Sequence, residues 1–287
     1  MPTNPAPPEP PIEMPPARTL RVPGRGELFL RDTGGDGPVV MLLHGWLATA
    51  DLNWWSAYGA LTDAGYRVLA IDHRGHGRGL RPLVPFRLSE CAADAAAALR
   101  QLELAPATVV GYSMGGAIAQ LVARDHQDVT GGLVLSGTAQ HWQEPQTKRV
   151  WRSMAVFGFT LSVAPRLAYK SGFRRIGLDD PRRTAWLLSE LERHSARDVA
   201  EAGRELGRFD SRPWLASLNV PAAVVVTSRD SAVPPRKQRE LAAALDASVF
   251  EAAIDHLEVS MPGTSFNGAL IEAIEAVRAG DRAAALR

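Results

Sequence analysis

A serine framed by glycines, set between a strand-like run and a helix-like run, constrains this chain more than any other feature. Two β-branched residues end a predicted buried strand, and the segment Gly111-Tyr112-Ser113-Met114-Gly115 follows. A helix-forming run, Ala117–Ala123, begins almost at once. In this setting the spacing G-x-S-x-G predicts a very tight turn that presents the serine hydroxyl at the end of the sheet. Gly111 and Gly115 would let neighbouring backbone pass close to a strained serine.

Ser113 has two interpretations at this stage. A serine at the end of a strand often only caps the following helix. Alternatively its hydroxyl is a nucleophile, and the Met114 N–H at the helix start stabilises an oxyanion. A serine hydroxyl is a poor nucleophile without a base. The second interpretation therefore requires a histidine and a carboxylate from elsewhere in the chain.

Composition limits the classes to which the chain can belong. Its 287 residues are enough for one large α/β domain with an insertion. With 46% hydrophobic and 22% charged residues, a packed globular core is expected. The formal net charge is +1, and no Lys/Arg tract carries interleaved aromatic residues, so we expect no nucleic-acid partner. The single cysteine, Cys91, excludes a disulfide framework and a cysteine-based zinc site. We expect neither a metal nor a cofactor.

The N-terminal residues 1–18 are dense in proline and are predicted to form a disordered leader. The leader lacks the basic and apolar regions of a secretory signal. No run in the chain approaches the roughly 20 apolar residues of a membrane span. The cytoplasm is therefore the expected location by default.

Eight apolar runs are predicted strands: Leu20–Pro23, Glu27–Thr33, Val39–Leu43, Arg67–Ile71, Thr108–Val110, Leu133–Leu135, Ala222–Thr227 and Ala247–Phe250. The first two are joined by a hairpin at Gly24-Arg25-Gly26. Helical patterns lie between the later strands, over Trp54–Ala64, Ser89–Leu102, Arg236–Leu245 and Leu270–Ala279. Such alternation predicts a mostly parallel eight-stranded sheet with helices on both faces. The segment from about Gln140 to Trp214 is instead continuously helical and amphipathic.

A base and an acid for Ser113 are available in a suitable order. Among seven histidines, His256 is favoured, because it follows the last predicted strand in a loop. Asp230 lies just past the strand Ala222–Thr227, at the sheet edge that also carries Ser113. An aspartate there can also be an ordinary turn residue. Asp255, next to His256 in sequence, is the weaker alternative as its orienting partner.

The loop after Val39–Leu43 supplies a second oxyanion donor in this hypothesis. It reads His44-Gly45-Trp46, and Gly45 permits a sharp turn that presents the Trp46 N–H. The alternatives are a simple strand-end turn for His44 and Gly45 and a core or pocket-wall role for the Trp46 ring.

Taken together, the motifs resemble the α/β-hydrolase fold superfamily of serine hydrolases, of esterase or lipase type with a helical cap. The matching segments fall in the order of that family: His44–Trp46, Asp72–Gly77, Gly111–Gly116, Arg229–Pro234 and Asp255–Leu257. The resemblance implies Ser113 as nucleophile, His256 as base and Asp230 as acid. It also implies oxyanion donation by the backbone of Trp46 and Met114, and structural turns at His44, Gly45, Gly111 and Gly115. The Asp72–Gly77 loop is expected to be structural. Asp255 stands where the family often has glycine.

The resemblance also divides the chain. It implies a core over residues 19–139 and 214–287 and an inserted helical cap over residues 140–213. Two sets of apolar cap residues recur at helical spacing: Trp151, Met154, Phe157 and Leu161, and then Trp186, Leu187, Leu191 and His194. They either pack the cap on the core or line an acyl pocket.

Basic residues are frequent in the cap: Lys148, Arg149, Arg152, Arg166, Lys170, Arg174, Arg175, Arg182 and Arg183. They are interpreted as a solvated helix face. Docking on anionic lipid or steering of an acidic substrate is the secondary interpretation.

The resulting hypothesis is a cofactor-independent hydrolase that cleaves carboxylic esters through a Ser-His-Asp triad and an acyl-enzyme. A small molecule with an apolar acyl group is the expected substrate. The same triad also serves perhydrolases, C–C bond hydrolases and acyltransferases, and these stay open, as does a non-catalytic, ligand-binding member of the fold. The oligomeric state is left open.

Overall fold

The structure, a computed structural model, describes residues 10–164 and 181–285. Residues 1–9 of the predicted leader lie outside this description. The first strand begins at Ala17, so the last two residues assigned to the leader belong to the sheet. Pro15 also contacts the sheet, because its carbonyl accepts a hydrogen bond of 2.9 Å from the Arg31 guanidinium.

Eight strands form one sheet, as predicted. They are β1 (Ala17–Val22), β2 (Gly26–Asp32), β3 (Val39–Leu43), β4 (Arg67–Ile71), β5 (Ala107–Tyr112), β6 (Thr130–Ser136), β7 (Ala222–Thr227) and β8 (Ser248–Ala252). Their order across the sheet is β1-β2-β4-β3-β5-β6-β7-β8. The β1–β2 and β2–β4 pairs are antiparallel, whereas the pairs from β4 through to β8 are parallel. The carboxyl ends of β5, β7 and β8 therefore meet at one edge.

The helices of the described ranges are α1 (Ala50–Asp63), α2 (Leu88–Gln101), α3 (Met114–Asp125), α4 (Pro145–Arg152), α5 (Met154–Val163), α6 (Pro181–Leu191), α7 (Ala196–Arg208), α8 (Pro235–Leu245) and α9 (Phe266–Ala285). One face of the sheet is covered by α1 and α9, and the other by α2, α3 and α8. None of these described helices is long and apolar enough to cross a membrane.

The central strands are apolar without interruption because both faces are covered. Along β3, Val40 and Leu42 pack with α1 and α9, whereas Met41 and Leu43 pack with α2 and α3. All four side chains are fully buried. Burying a side chain of this size stabilises a fold by about 1.5–3 kcal/mol, so these strands hold the sheet rigidly in place beneath the loops at its edge.

Several helix starts differ from the sequence-based prediction: α9 begins at Phe266, four residues before Leu270, and the starts of α1 and α2 also differ. Helix α1 begins four residues before Trp54, because Thr49 caps it by accepting a 3.0 Å hydrogen bond from the Leu52 N–H. Helix α2 begins at Leu88 without a side-chain cap, so Ser89 lies inside the helix.

The helical segment between β6 and β7 contains α4 to α7, and its two ends lie side by side. His141 and Asp210 form an isolated antiparallel bridge, and the Gln140 carbonyl accepts a 2.9 Å hydrogen bond from the Ser211 N–H. The predicted apolar stripe starting at Trp151 is interrupted at Ser153, because α4 ends there and α5 starts at Met154. The basic residues from Arg166 to Arg175 lie outside the described residues.

Candidate active site

Ser113 occupies the single position between β5 and α3. Its backbone has φ 55° and ψ −117°, the strained conformation that the glycine spacing predicts. The Ser113 N–H donates to the Ser136 carbonyl at 3.0 Å, and the Ser113 carbonyl accepts from the Thr138 hydroxyl at 2.8 Å. The turn is therefore fixed by hydrogen bonds to the end of β6 and to the residues that follow it.

Gly111 and Gly115 lie where backbone segments approach each other most closely. A Cβ atom on Gly115 would lie 2.0 Å from the Leu43 carbonyl oxygen, and one on Gly111 would lie 2.3 Å from the Gly115 carbonyl oxygen. Both contacts are with backbone atoms, which cannot move aside as a flexible side chain would. The structure thus requires glycine at both positions for steric reasons.

His256 is brought to Ser113 from the other end of the chain. It begins a 3₁₀ turn, His256–Ser260, shortly after β8. Its Nε2 lies 3.1 Å from the Ser113 Oγ, and its Nδ1 lies 2.7 Å from the Asp230 Oδ2. The three side chains form one line of hydrogen bonds. Such a line lets the imidazole accept the serine proton while the carboxylate holds its other nitrogen.

Asp230 is buried, and both of its carboxylate oxygens are engaged. Oδ1 accepts from the N–H groups of Ala232 and Val233 at 2.9 and 2.7 Å, while Oδ2 faces both His256 and the Thr227 hydroxyl. The short loop after β7 therefore wraps its own backbone around the carboxylate and aims it at the imidazole.

Asp255 does not orient His256. It forms a reciprocal capping box with Glu258 at the start of the 3₁₀ turn, and its Oδ2 accepts from the Ser231 N–H at 3.1 Å. Burial raises the pKa of this carboxyl, but hydrogen bonds from Ser231 and Leu257 and the nearby His256 together leave the pKa below its usual value. Asp255 ties the acid loop to the histidine loop.

His44 and Gly45 build the turn that faces Ser113. His44 Nδ1 lies 2.8 Å from the Gly45 carbonyl oxygen, and its Nε2 accepts from the His73 N–H at 3.0 Å. Burial lowers the pKa of His44 well below its usual value, so the ring is neutral. A Cβ on Gly45 would lie 3.3 Å from the Ser113 Cβ, so this turn packs directly against the serine.

Met114 and Trp46, whose backbones are the predicted oxyanion donors, flank Ser113 on two sides. Met114 is the first residue of α3, where N–H groups have no acceptor within the helix. Trp46 follows the Gly45 turn and borders the cavity that contains Ser113. The Trp46 indole N–H donates to the Val199 carbonyl at 2.8 Å, which anchors the ring to α7.

Three further histidines lie away from the serine, and of these His73 and His76 are buried and His194 is half-buried. His73 and His76 follow β4, and His194 follows α6; the His76 ring centroid lies 5.5 Å from that of His44 and 5.3 Å from that of His194. Burial lowers the pKa of His73 to about 3 and that of His194 to about 4. These neutral rings pack core against insertion and do not reach Ser113.

Three supporting residues were missed in the sequence. Tyr112 donates its hydroxyl to the His256 carbonyl at 2.6 Å, and burial, followed by the charges of Asp230 and Asp255, raises its pKa well above the usual value. Thr227 and Gln238 stand behind Asp230. Only Tyr112, inside the glycine motif, carried a local signal; Gln238 is indistinguishable from a surface helix residue.

A cavity of about 480 Å³ opens above Ser113, between the core and the insertion. Its wall is strongly aromatic, and it includes five of the seven tryptophans of the chain: Trp46, Trp55, Trp142, Trp151 and Trp186. Aliphatic side chains complete the wall, among them Leu187, Leu191 and Leu206. Of the residues in the two predicted stripes, Trp151, Trp186, Leu187 and Leu191 line the cavity. Those that do not line it are Met154, Phe157, Leu161 and His194.

No metal site is visible in the part of the chain that the structure describes. Within residues 10–164 and 181–285, no three His, Cys, Asp or Glu side chains are grouped so that they could hold a metal ion. Cys91 is buried in α2, where burial raises the pKa of its thiol.

Comparison with known proteins points in the same direction as the geometry. The family model of the alpha/beta hydrolase fold matches residues 38–176. A 3-oxoadipate enol-lactonase of Acinetobacter baylyi is 28% identical over 63% of this chain and 67% of its own length. A non-heme haloperoxidase of Rhodococcus erythropolis is 39% identical over 39% of this chain and 40% of its own length.

Among solved structures, the enol-lactonase of Burkholderia xenovorans LB400 superposes with a TM-score of 0.78 at 26% identity. The match covers 90% of this chain and 100% of that one. The two chains therefore share their fold.

Proposed function

This chain belongs to the α/β-hydrolase superfamily, and from that premise we propose that it is a cofactor-independent serine hydrolase of carboxylic esters. The observation that carries the proposal is the unbroken contact line from Ser113 Oγ through His256 to Asp230, with steps of 3.1 and 2.7 Å. The line ends in a cavity large enough for a small-molecule substrate.

Acylation follows from this geometry. Ser113 Oγ attacks the ester carbonyl while its proton passes to His256 Nε2. Asp230 accepts a hydrogen bond from the Nδ1–H of His256 and stabilises the imidazolium that forms. The imidazolium then gives its proton to the leaving alcohol oxygen as the C–O bond breaks, which leaves the acyl group on Ser113. In the second half, His256 takes a proton from water as the water oxygen attacks the acyl carbonyl. His256 then returns that proton to Ser113 Oγ as the acyl C–O bond breaks, which releases the carboxylic acid.

The tetrahedral intermediates need fixed donors for their negative oxygen. We assign this role to the backbone N–H groups of Met114 and Trp46. Losing one donor of such a pair typically lowers kcat by about 10²–10³. Because both donors are backbone groups, they are held by the turns at Gly115 and Gly45 and by no side chain of their own.

The aromatic wall supports a substrate with an apolar acyl group. Moving such a group from water to a wall of indole and leucine side chains is favourable by about 25 cal/mol for each Å² of apolar surface buried. Because one relative is an enol-lactonase, the purified protein should be assayed for hydrolysis of cyclic esters as well as linear esters.

Labelling with a fluorophosphonate probe tests the nucleophile directly. Wild-type protein is expected to be labelled, Ser113→Ala unlabelled, and His256→Ala labelled at least about 100-fold more slowly, because the base is absent. Ser136→Ala is the matched control, since that serine is buried at the end of β6. A folded wild-type protein that stays unlabelled would make the chain a non-catalytic, ligand-binding member of the fold.

A second candidate activity is transfer of the acyl group to an acceptor other than water. A relative named as a haloperoxidase favours peroxide as that acceptor. Product analysis of an ester reaction with and without peroxide or an added alcohol separates the two activities. If the carboxylic acid is the only product that carries the acyl group, the result supports hydrolysis. A peracid or a new ester supports transfer. Cleavage of a C–C bond is tested by a β-diketone substrate in the same assay.

A further inference from the structure

Two buried polar residues stand behind Asp230, and the mechanism above does not use them. Thr227 is the last residue of β7, Gln238 lies in the first half of α8, and neither is exposed to solvent. Thr227 Oγ1 lies 2.7 Å from Asp230 Oδ2, and Gln238 Nε2 lies 2.7 Å from Thr227 Oγ1. The contacts form a chain that reaches the proposed triad at Asp230 Oδ2, the same oxygen that faces His256.

The orientation of the Gln238 amide follows from the backbone groups around it. Its Oε1 accepts from the Thr227 N–H at 3.0 Å, and its Nε2 donates to the Val233 carbonyl at 2.8 Å. Exchanging the oxygen and the nitrogen would place donor against donor and acceptor against acceptor. The nitrogen is therefore the atom that faces the Thr227 hydroxyl.

The direction of the Thr227 hydroxyl proton follows in turn. Because an amide nitrogen only donates, Thr227 Oγ1 accepts from Gln238, and its own proton points to Asp230 Oδ2. The other carboxylate oxygen accepts from the N–H groups of Ala232 and Val233. Donors thus surround the carboxylate, and their hydrogen bonds fix the direction in which it points.

We propose that Thr227 and Gln238 are positioning residues that hold the Asp230 carboxylate aimed at His256. The inference rests on the proposed function, because a fixed negative charge at Asp230 matters for the imidazolium that His256 becomes during ester cleavage. Neither residue borders the cavity, so both act only through Asp230. Gln238 sets the direction of the hydroxyl, and the hydroxyl completes the set of donors.

The first test compares two substitutions of Thr227 by steady-state ester hydrolysis. Thr227→Val keeps the shape and removes the hydroxyl, and it is expected to lower kcat about tenfold with KM within twofold. Thr227→Ser restores the hydroxyl and is expected to recover kcat to within about threefold of wild type. Full kcat in Thr227→Val, or a serine variant no better than the valine variant, would overturn the proposal.

A double-mutant cycle tests whether the two residues act as one chain. Gln238→Met removes the amide and keeps a side chain of similar length. If Gln238 acts through the Thr227 hydroxyl, the double variant Thr227→Val with Gln238→Met should have the same kcat as the less active of the two single variants. If the fold-losses in kcat of the two single variants multiply in the double variant, the two residues do not act in series.

A measurement that needs no turnover keeps this inference separate from the proposed function. The Thr227 hydroxyl proton and the His256 Nδ1 proton both point at Asp230 Oδ2, so NMR of the full-length protein should show a nuclear Overhauser effect between them. Its absence, with the hydroxyl proton assigned, contradicts the inference. If the effect is present but the fluorophosphonate does not label Ser113, the proposed function fails while the hydrogen-bond chain stands.

Discussion

At Ser113 the backbone is held in a conformation that a residue with a side chain rarely adopts, at φ 55°. Such a residue costs about 1–3 kcal/mol, so its surroundings must over-determine it. The surroundings hold this conformation through two hydrogen bonds: the Ser113 N–H donates to the Ser136 carbonyl, and the Ser113 carbonyl accepts from the Thr138 hydroxyl. The glycines on either side leave room for the close backbone contacts. The strain is local and serves one purpose, which is to expose Oγ beside His256.

The steric role of Gly115 gives a prediction at this scale. Gly115→Ala is expected to lower the free energy of unfolding by about 3 kcal/mol, since its Cβ would meet the Leu43 carbonyl at 2.0 Å and backbone cannot yield cheaply. Urea unfolding measures the change. Gly59→Ala is the control: Gly59 lies within α1 with no atom in reach of a Cβ, and alanine there should stabilise by about 0.5–1 kcal/mol. Equal effects of the two substitutions would contradict the steric argument.

Among the elements, the loop after β4 does more than turn the chain, because it holds the second half of the insertion on the core. The Gly75 carbonyl accepts from the Ser195 N–H at 2.8 Å, and His194 Nδ1 accepts from the Gly77 N–H at 2.9 Å. Arg78 forms an ion pair with Glu190 of α6. The junction is fixed where core and insertion meet, on the side of the cavity that α6 and α7 line.

Acid is expected to weaken this junction. Burial lowers the pKa of His194 from 6.5 to about 4, so between these values the unfolded chain binds a proton that the folded chain does not. Stability is therefore fully present above pH 6.5 and falls as pH drops toward 4, by at most about 3 kcal/mol from this residue. Urea unfolding at pH 7.5 and pH 4.5 measures the loss.

Two substitutions assign the acid sensitivity. His194→Gln keeps an acceptor for the Gly77 N–H but has no proton to gain, so its loss of stability between the two pH values should be smaller than that of wild type. His126→Gln, after the C-terminal end of α3, removes a histidine outside the junction and should change the loss less. If His194→Gln loses as much stability as wild type, the junction histidine is not responsible.

For the whole molecule, the feature that matters is a cavity with a wall supplied by both parts of the chain. Ser113, Gly45 and His256 come from the core, whereas Trp186, Leu187 and Leu206 come from the insertion. The core thus brings the proposed triad together with apolar side chains such as Leu52, Trp55 and Leu257, and the insertion completes the apolar wall. Under the proposed function, we expect substrate choice to depend on how the insertion packs over the cavity. The proposed chemistry depends on core residues alone.

Narrowing the cavity from the insertion should change substrate size preference without changing the chemistry. Leu187→Phe in α6 is expected to raise KM for a para-nitrophenyl octanoate about fivefold, because overpacking costs about 1 kcal/mol or more, while a butyrate ester is little affected. Leu187→Met, nearly equal in volume, is the control. The same rise in KM for both esters would show that the acyl chain lies elsewhere.

The local patterns of the sequence determined much of the framework. Apolar strand runs and glycines at fixed offsets are properties of neighbouring residues, and they predicted eight strands and pointed to Ser113. Asp230 and His256 were named instead from the order of motifs along the chain, and the structure places the three side chains in one line of contacts. These signals survive because side-chain period and turn geometry are set within a few residues.

Only the tertiary structure decided how distant polar groups meet. The chain from Gln238 through Thr227 to Asp230, the contact of His194 with the loop after β4, and the mixed wall of the cavity each join elements that lie apart in sequence. A buried hydrogen bond needs its partners within about 3 Å and correctly aimed. That condition depends on how whole elements pack, and a residue's sequence neighbours carry no trace of it.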